Sequence, residues 1–348
     1  MKEIKVLHVL PTHKIGGVEL AALSSLNYLD DFFDFKLAYI FNYETQNSLF
    51  GRIKGVLNAI KSIFIKTPDI LITSLWLSVL VGLPLKLIFK EKITWVHFVH
   101  NTKFFHFLDH FFNKIGSVKC DYVFADSQST KDFLVKYSSK PSFVISYLLS
   151  NGGFSKTAKS ISLEEVSFIY IGRIAKQKNL ELAFRVISGL KKEGYSVSFD
   201  IFGPIEMNMD ELQMKINELD IHNNVSFKGI VAPNEINDLM KNYNFYLQTS
   251  AVEGMAMSVV QAMQNGLVCL VTPCGEIANY SQDMISAIHL HQGTENGIND
   301  FIAKIKLAIG DPVLYDKLSQ SAFQSFSDKL SYQESMRNTI ESILNQKK

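Results

Sequence analysis

The chain has 348 residues, 47% of them hydrophobic and 20% charged, with a formal net charge of +1. That length is about twice one ordinary domain, and the composition is that of a globular protein with room for two cores. Its cysteines, Cys120, Cys269 and Cys274, are odd in number and lack metal-ligand spacing, which argues against a disulfide framework or a zinc site and for a reducing cytoplasm.

The near-zero charge conceals an asymmetry. Residues 1–150 carry 17 Lys and Arg against 12 Asp and Glu, net +5, and residues 151–348 carry 18 against 22, net −4. Within the first half, residues 51–119 hold 10 basic and 3 acidic side chains, net +7. In chain order, the apolar run Val6 to Leu10 is too short for a signal peptide and predicts a first strand. It ends in "PTHKIGGVELAAL", where Gly16 and Gly17 let backbone approach a ligand at a strand-to-helix turn. Such glycines are as often purely structural. His13 in the same loop is a weaker candidate.

The run Ile70 to Leu85 is interrupted by Thr73, Ser74, Ser78, Gly82 and Pro84 and falls short of the roughly 20 residues that cross a bilayer. It divides into a buried strand, "ILITS", and a following helix. Before it, "GRIKGVLNAIKSIFIK" predicts an amphipathic helix with Ile53, Val56, Leu57, Ile60 and Phe64 on one face and Lys54, Asn58 and Lys61 on another. After it, "TKFFHFLDHFFNKIG" lines up Phe104, Phe107, Phe111 and Ile115 opposite Lys103, His106, His110 and Asn113. Each helix alone fits a core-facing element equally well, but together with the +7 charge they fit an anionic membrane surface. Nucleic acid would use similar charge, yet no nucleic-acid motif accompanies it. On "TWVHFVH", His97 and His100 sit three apart and point to opposite faces of a strand, so His100, nearer the strand end, is the candidate for a cleft.

Further strands, "FKLAYIF", "DYVFADS" and "FVISYLL", complete a first β/α alternation; the stretch "SYLLSNGGFSKTAKSIS" reads as a linker. A second alternation runs through "VSFIYIGR", "SVSFDIFG", "NVSFKGIV", "NFYLQTS" and "LVCLVT". The expected fold is α/β, two Rossmann-like domains with parallel sheets facing a central cleft: 1–150, and 151–348 with the last helix packing back on the first domain. In "IGRIAKQKNLELAF", Arg173 and Lys178 flank a helix N-terminus capped near Asn179. Cations there oppose the helix dipole, so either a diphosphate or solvent faces them. The stretch "SAVEGMAMSVVQAMQNG" sets a lone acid, Glu253, before an uncharged helix carrying Gln261.

Those segments, "IGRIAKQKN", "FDIFGP", "NVSFKG" and "SAVEGMAMSVVQAM", together with "GGVE", "HN", "ADSQSTKDFL" and "NGGFS", resemble in order and spacing the retaining GT-B glycosyltransferases of family four, the glycosyl transferases group 1 type. The resemblance covers nearly the whole chain. It implies an acceptor-binding first domain, a nucleotide-sugar-binding second domain, and transfer of a hexose-type sugar from a UDP- or GDP-linked donor to a glycan or lipid-linked acceptor with retention. Bacterial surface polysaccharide synthesis in the cytoplasm, at the inner face of the plasma membrane, is the implied setting.

By the same resemblance Arg173 and Lys178 hold the donor diphosphate, Glu253 meets the donor sugar, and His100 faces it from the first domain. Gly16, Gly17, Gly203, Gly254, Met255 and Ala256 line the donor. Gln261 stands where the family has a second Glu for the ribose, and Ser258 where many relatives have Pro. No Asp-x-Asp occurs, so no metal or other cofactor is expected. The alternatives are a GT-B nucleotide-sugar epimerase and a non-catalytic sugar-nucleotide-binding module, the latter suggested by Gln261.

Overall fold

The computed structural model describes residues 4–12, 17–41, 48–100, 106–148 and 165–346. The chain forms two compact units, one of Met1–Ser150 with Leu330–Lys348 and one of Asn151–Lys329.

The first unit is built on β1 (Lys5–Leu10), α1 (Gly17–Ser24), α2 (Leu26–Asp30), β2 (Asp34–Tyr39), α3 (Leu49–Ile65), β3 (Ile70–Ser74), α4 (Val79–Phe89), β4 (Thr94–Val99), α5 (Phe107–Lys119), β5 (Tyr122–Ala125), α6 (Gln128–Leu134) and β6 (Ser142–Val144). Its six strands are parallel in the order β2-β1-β3-β4-β5-β6. Every residue of β3 and β4 is buried. That is why "ILITS" reads as an unbroken apolar run: a central parallel strand is covered on both faces. Trp95 and Thr73 interlock there, the indole N–H donating to the threonine hydroxyl at 2.9 Å.

Of the two orientations left open for the amphipathic helices on this sheet, many apolar residues take the exposed one. α3 buries only Gly55 and Ile63 and leaves Ile53, Leu57 and Phe64 more than half exposed. Val56, Ala59 and Ile60 still pack half-buried against the core, and Gly55 lets the helix approach Phe41 closely. α5 is inverted: it buries Asp109, Asn113, Gly116 and Ser117 while Phe107 and Phe111 are exposed. The buried polar row is satisfied, since Asn113 Nδ2 donates to Asp109 Oδ1 at 2.6 Å and Asn113 Oδ1 lies 3.1 Å from His97 Nε2. Burying it costs little because each group finds a partner.

The second unit comprises β7 (Val166–Ile171), α7 (Leu180–Lys192), β8 (Val197–Phe202), α8 (Met209–Glu218), β9 (Val225–Gly229), α9 (Ile236–Met240), β10 (Phe245–Gln248), α10 (Met257–Gln264), β11 (Val268–Val271), α11 (Ile277–Tyr280), β12 (Ile288–His289), α12 (Glu295–Gly310) and α13 (Pro312–Gln324). Its six parallel strands run β12-β11-β10-β7-β8-β9. The chain thus winds outward from β7 to β9, returns, and starts again at β10 beside β7. Ligands of open parallel sheets bind at such a reversal, outside the carboxyl ends of the strands. Phe168, Phe184, Phe199, Phe245 and Phe301 fill the core beneath it. The final helix, α14 (Tyr332–Gln346), belongs to the first unit and buries Tyr332, Met336, Ile340 and Ile343 there.

Candidate functional site

In the second unit the loops that follow β7 and β10 meet at the reversal. Lys178 and Glu253, 75 residues apart, form an ion pair of 2.6 Å with side chains only 13% and 8% exposed. The same carboxylate oxygen accepts from Gln248 Nε2 at 2.9 Å. Gln248 is oriented in turn, because its amide oxygen accepts from Ser258 Oγ at 3.2 Å and lies 3.0 Å from the Tyr246 hydroxyl. Every donor in this chain points toward Glu253, an arrangement that suits an ionised carboxylate. Burial, with Glu253 adding to it, pushes the Tyr246 and Tyr280 phenols far up, so both stay protonated.

Backbone contacts fix the loops. Ala251 N donates to Gln177 O at 2.9 Å, Thr249 Oγ1 to Asn179 O at 2.9 Å, Glu276 N to Gly254 O at 3.0 Å, and the Tyr280 hydroxyl to Met255 O at 3.2 Å. Two glycines make the approach possible. A Cβ on Gly203 (φ +142°) would lie 1.9 Å from Gly172 O, and one on Gly275 (φ +59°) 2.4 Å from Glu253 O. No side chain but hydrogen fits either place. Gly203 lets two backbones close beneath the Arg173 loop.

The helix entries are alike. Asn179 before α7 and Ala256 before α10 both adopt left-handed backbone, φ 49° and 52°, and neither helix receives a side-chain cap. The cap expected near Asn179 is thus at that residue, but its side chain makes no capping hydrogen bond. By contrast α12 and α13 are capped by Thr294 and Asp311. Uncapped first-turn amides beside Lys178 leave positive potential unspent at this one edge of the sheet. Left-handed backbone at a non-glycine residue such as Ala256 costs of order 1 kcal/mol and gathers at functional sites.

Arg173 stands apart from Lys178. Its guanidinium pairs with Glu206 at 3.0 Å, and both side chains are about half exposed. Gln261 is buried, and its Nε2 donates to Asn237 Oδ1 at 2.7 Å, an oxygen that also accepts from Asn265 Nδ2 at 3.2 Å. Gly254 and Met255 lie on the stapled loop.

In the first unit His100 follows β4 and is buried, its Nδ1 2.9 Å from the Tyr147 hydroxyl; Nε2 has no hydrogen-bond partner among the described residues. Burial, reinforced by neighbouring His8 and His97, holds its pKa well below the ordinary histidine value. His97 is occupied by Asn113 and by Thr73 O at 3.2 Å, and burial lowers it to about 4. Gly17 opens α1. Gly16, His13, Asn101, Lys103, Phe104 and most of the linker lie outside the described residues.

A possible metal cluster, Asp283, His289 and His291, has ligand atoms within 4.8 Å of one another. Lys304 Nζ already sits 3.0 Å from Asp283 Oδ2, so the carboxylate is neutralised by an ammonium, a poor start for a cation site. Gln248, Gly275 and Tyr147 were not singled out from sequence, and Ser258 only as a departure from the family's Pro. The available signal for Gln248 was an amide at the end of an apolar strand, "FYLQTS".

Residues 154–325 match the family model described as glycosyl transferases group 1. Over 101 residues the chain is 34% identical to Protein CapJ of Staphylococcus aureus, covering 28% of this chain and 25% of that protein. It is 28% identical over 130 residues to the capsular polysaccharide biosynthesis glycosyltransferase CapH of the same organism, 37% of this chain and 36% of CapH. The chain thus spans between a quarter and about a third of these relatives' length. The fold is similar to that of Anabaena Alr3699/HepE in complex with UDP and glucose, with TM-score 0.79 and 15% identity over 98% of this chain and 99% of that one. Two six-stranded parallel sheets, the match over 154–325 and this structural likeness converge: the chain has the GT-B fold, and its second half belongs to the glycosyl transferases group 1 family.

Proposed function

We propose that the protein is a retaining glycosyltransferase that moves a sugar from a nucleoside-diphosphate donor to a glycan or lipid-linked acceptor. One observation carries this reading: the buried Lys178–Glu253–Gln248 network at the β7/β10 reversal, beside two uncapped helix N-termini. A diphosphate would meet the ammonium of Lys178 and the free amides, which stabilise negative charge as it develops on the leaving group. Lys178 is shared with Glu253, so the uncapped amides carry much of this role; transfer without metal is proposed, and the EDTA assay tests it. Glu253, held by Gln248, accepts from donor-sugar hydroxyls. Arg173 reaches the diphosphate by leaving Glu206, a surface pair worth only ~0–1 kcal/mol. Retention follows from departure and attack on one face, the leaving diphosphate taking the acceptor proton.

The names of CapH, a capsular polysaccharide biosynthesis glycosyltransferase, and of HepE, bound to UDP and glucose, support a UDP-type donor and a surface-glycan product. Among the described residues no helix is long and apolar enough to cross a membrane. A peripheral site is proposed instead. Ile53 and Leu57 of α3 and Phe107 and Phe111 of α5 are exposed within the segment of net +7, and Leu49 and Phe50 are exposed just before it. Exposed aromatics among lysines bind anionic lipid by area and charge together.

The test is incubation with UDP- and GDP-sugars, with and without acceptor extract, in EDTA. Acceptor-dependent consumption of donor, with the product's anomeric configuration retained by NMR, is the expected result. Conversion of donor to a new nucleotide sugar without acceptor identifies an epimerase, and no binding of any nucleotide sugar removes the enzyme reading. Cosedimentation with phosphatidylglycerol vesicles but not phosphatidylcholine vesicles, lost in Phe107→Ser/Phe111→Ser, checks the membrane surface.

A further inference from the structure

Arg173 and Lys178 are each engaged by a carboxylate, and the two acids differ in what happens to them once the cation leaves. Arg173 pairs with Glu206 at 3.0 Å, and both side chains are about half exposed. A released Glu206 keeps its water, so that exchange costs little. Lys178 pairs with Glu253 at 2.6 Å, and the Glu253 side chain is only 8% exposed. A carboxylate there loses its counterion without gaining solvent, which is the expensive way to break an ion pair.

Glu253 cannot turn outward to escape. On either side its backbone is tied down, Ala251 N donating to Gln177 O, Glu276 N to Gly254 O and the Tyr280 hydroxyl to Met255 O. Gly275 lies so close that a Cβ on it would overlap the Glu253 carbonyl oxygen. The titratable groups in the field of the carboxylate, Tyr170, Tyr246, Tyr280 and Cys274, are all pushed up by burial and stay uncharged. Among the described residues only Gln248 Nε2 donates to Glu253 besides Lys178. A diphosphate that draws Lys178 to itself therefore leaves a buried carboxylate with one amide donor, well short of what its two oxygens can accept. Hydroxyls of the donor sugar fill that deficit. A nucleoside diphosphate without its sugar brings nothing to that place.

We infer that Lys178 and Glu253 form a counterion exchange that couples the phosphate half of the site to the sugar half, so that Glu253 opposes binding of the nucleoside diphosphate and tolerates the nucleotide sugar. The inference rests on the proposed donor placement, diphosphate at Lys178 and sugar at Glu253, and adds to it a source of specificity. After transfer the product no longer satisfies Glu253, Lys178 returns to the carboxylate, and the diphosphate is released.

The experiment is calorimetric titration of wild type, Glu253→Gln and Glu206→Gln with UDP, GDP, UDP-glucose, UDP-N-acetylglucosamine and GDP-mannose, comparing each nucleotide sugar with its own nucleoside diphosphate. Glu253→Gln tightens the nucleoside diphosphate on the order of tenfold and leaves the preferred nucleotide sugar within about twofold, because the amide needs no counterion. Glu206→Gln tightens both alike, by about fivefold at most, as loss of an exposed pair does. If Glu253→Gln instead weakens the nucleotide sugar and leaves the diphosphate unchanged, Glu253 makes a plain hydrogen bond and the exchange is overturned. Equal tightening of both overturns it too, since that is the mark of simple repulsion. Wild type supplies a reading that needs no variant: the nucleoside diphosphate inhibits transfer with a Ki about tenfold above the Kd of the competent donor, and a Ki at or below that Kd overturns the inference. Binding of none of the five ligands removes the donor placement itself, an outcome separate from all of these.

Discussion

The two units carry sheets of related winding, and each places polar side chains at the carboxyl ends of central strands, yet by opposite electrostatics. In the second unit a full ion pair is buried at the β7/β10 reversal, with amides and hydroxyls aligned toward its carboxylate. In the first unit three histidines, His8, His97 and His100, are buried neutral on β1 and β4 or next to it. One cluster is built to hold charge, the other to make hydrogen bonds without it.

The largest effect is expected from breaking the charged half. Lys178→Ala leaves Glu253 buried without its cation and destabilises the second unit by about 3–5 kcal/mol, whereas the exposed Arg173→Ala shifts stability by less than ~1 kcal/mol. Urea unfolding of both variants checks this. Equal losses would mean that burial does not distinguish the pairs. Adding Glu253→Gln to Lys178→Ala recovers part of the stability, because the orphaned charge is gone.

Next comes Glu253→Gln alone, whose turnover falls on the order of 10²-fold while donor affinity holds, since the lost group serves the transferring sugar. Steady-state kinetics with a donor that proves competent measures it; an unchanged rate removes Glu253 from the reaction.

Acid sharpens the contrast between units. The unfolded chain protonates His8 and His97 near pH 6.5, while burial keeps them neutral in the fold down to about 3 and 4. Below pH 6.5 the unfolded state binds more protons, so their contribution is complete above that pH and is lost progressively as pH falls toward 4. Unit 1 should therefore open first in an acid titration followed by hydrogen exchange, and His97→Gln should flatten the loss. If the second unit opens first, the neutral histidines are not the weak point.

The smallest effect concerns Gln261. Glu at this position turns a carboxylate toward Asn237 Oδ1, which must rotate and release Asn265. Gln261→Glu should lower stability by about 1–2 kcal/mol, visible as a drop in Tm, before any gain at the ribose appears. A rise in Tm would restore the view that this position waits for a carboxylate.

The sequence made the strands and the reversal legible because central parallel strands are long apolar runs between turn residues. β12 escaped notice since Ile288–His289 is two residues long. At the site, Glu253 and Lys178 were visible as charges out of place, but their pairing across 75 residues is tertiary and leaves no local pattern. Gln248 and Tyr147 were invisible for a related reason: each is marked only by a contact that the tertiary fold sets, Gln248 with Glu253 and Tyr147 with His100. α5 was the most ambiguous element, because its Phe stripe has helical spacing whichever side it faces. Only the satisfied row Asp109, Asn113 and Ser117 tells that the polar side is inward.

The position of α14 sets an order of events during synthesis. Residues 330–346 reach the ribosome exit only after the whole second unit has been made, yet Tyr332, Met336 and Ile340 belong to the first unit's interior. The second unit is continuous and can close as it emerges. The first must wait, with the Tyr147 face that Tyr332 packs against uncovered, until the last helix arrives. A released chain truncated after residue 329 should therefore carry a protease-resistant second unit and a cleavable first one.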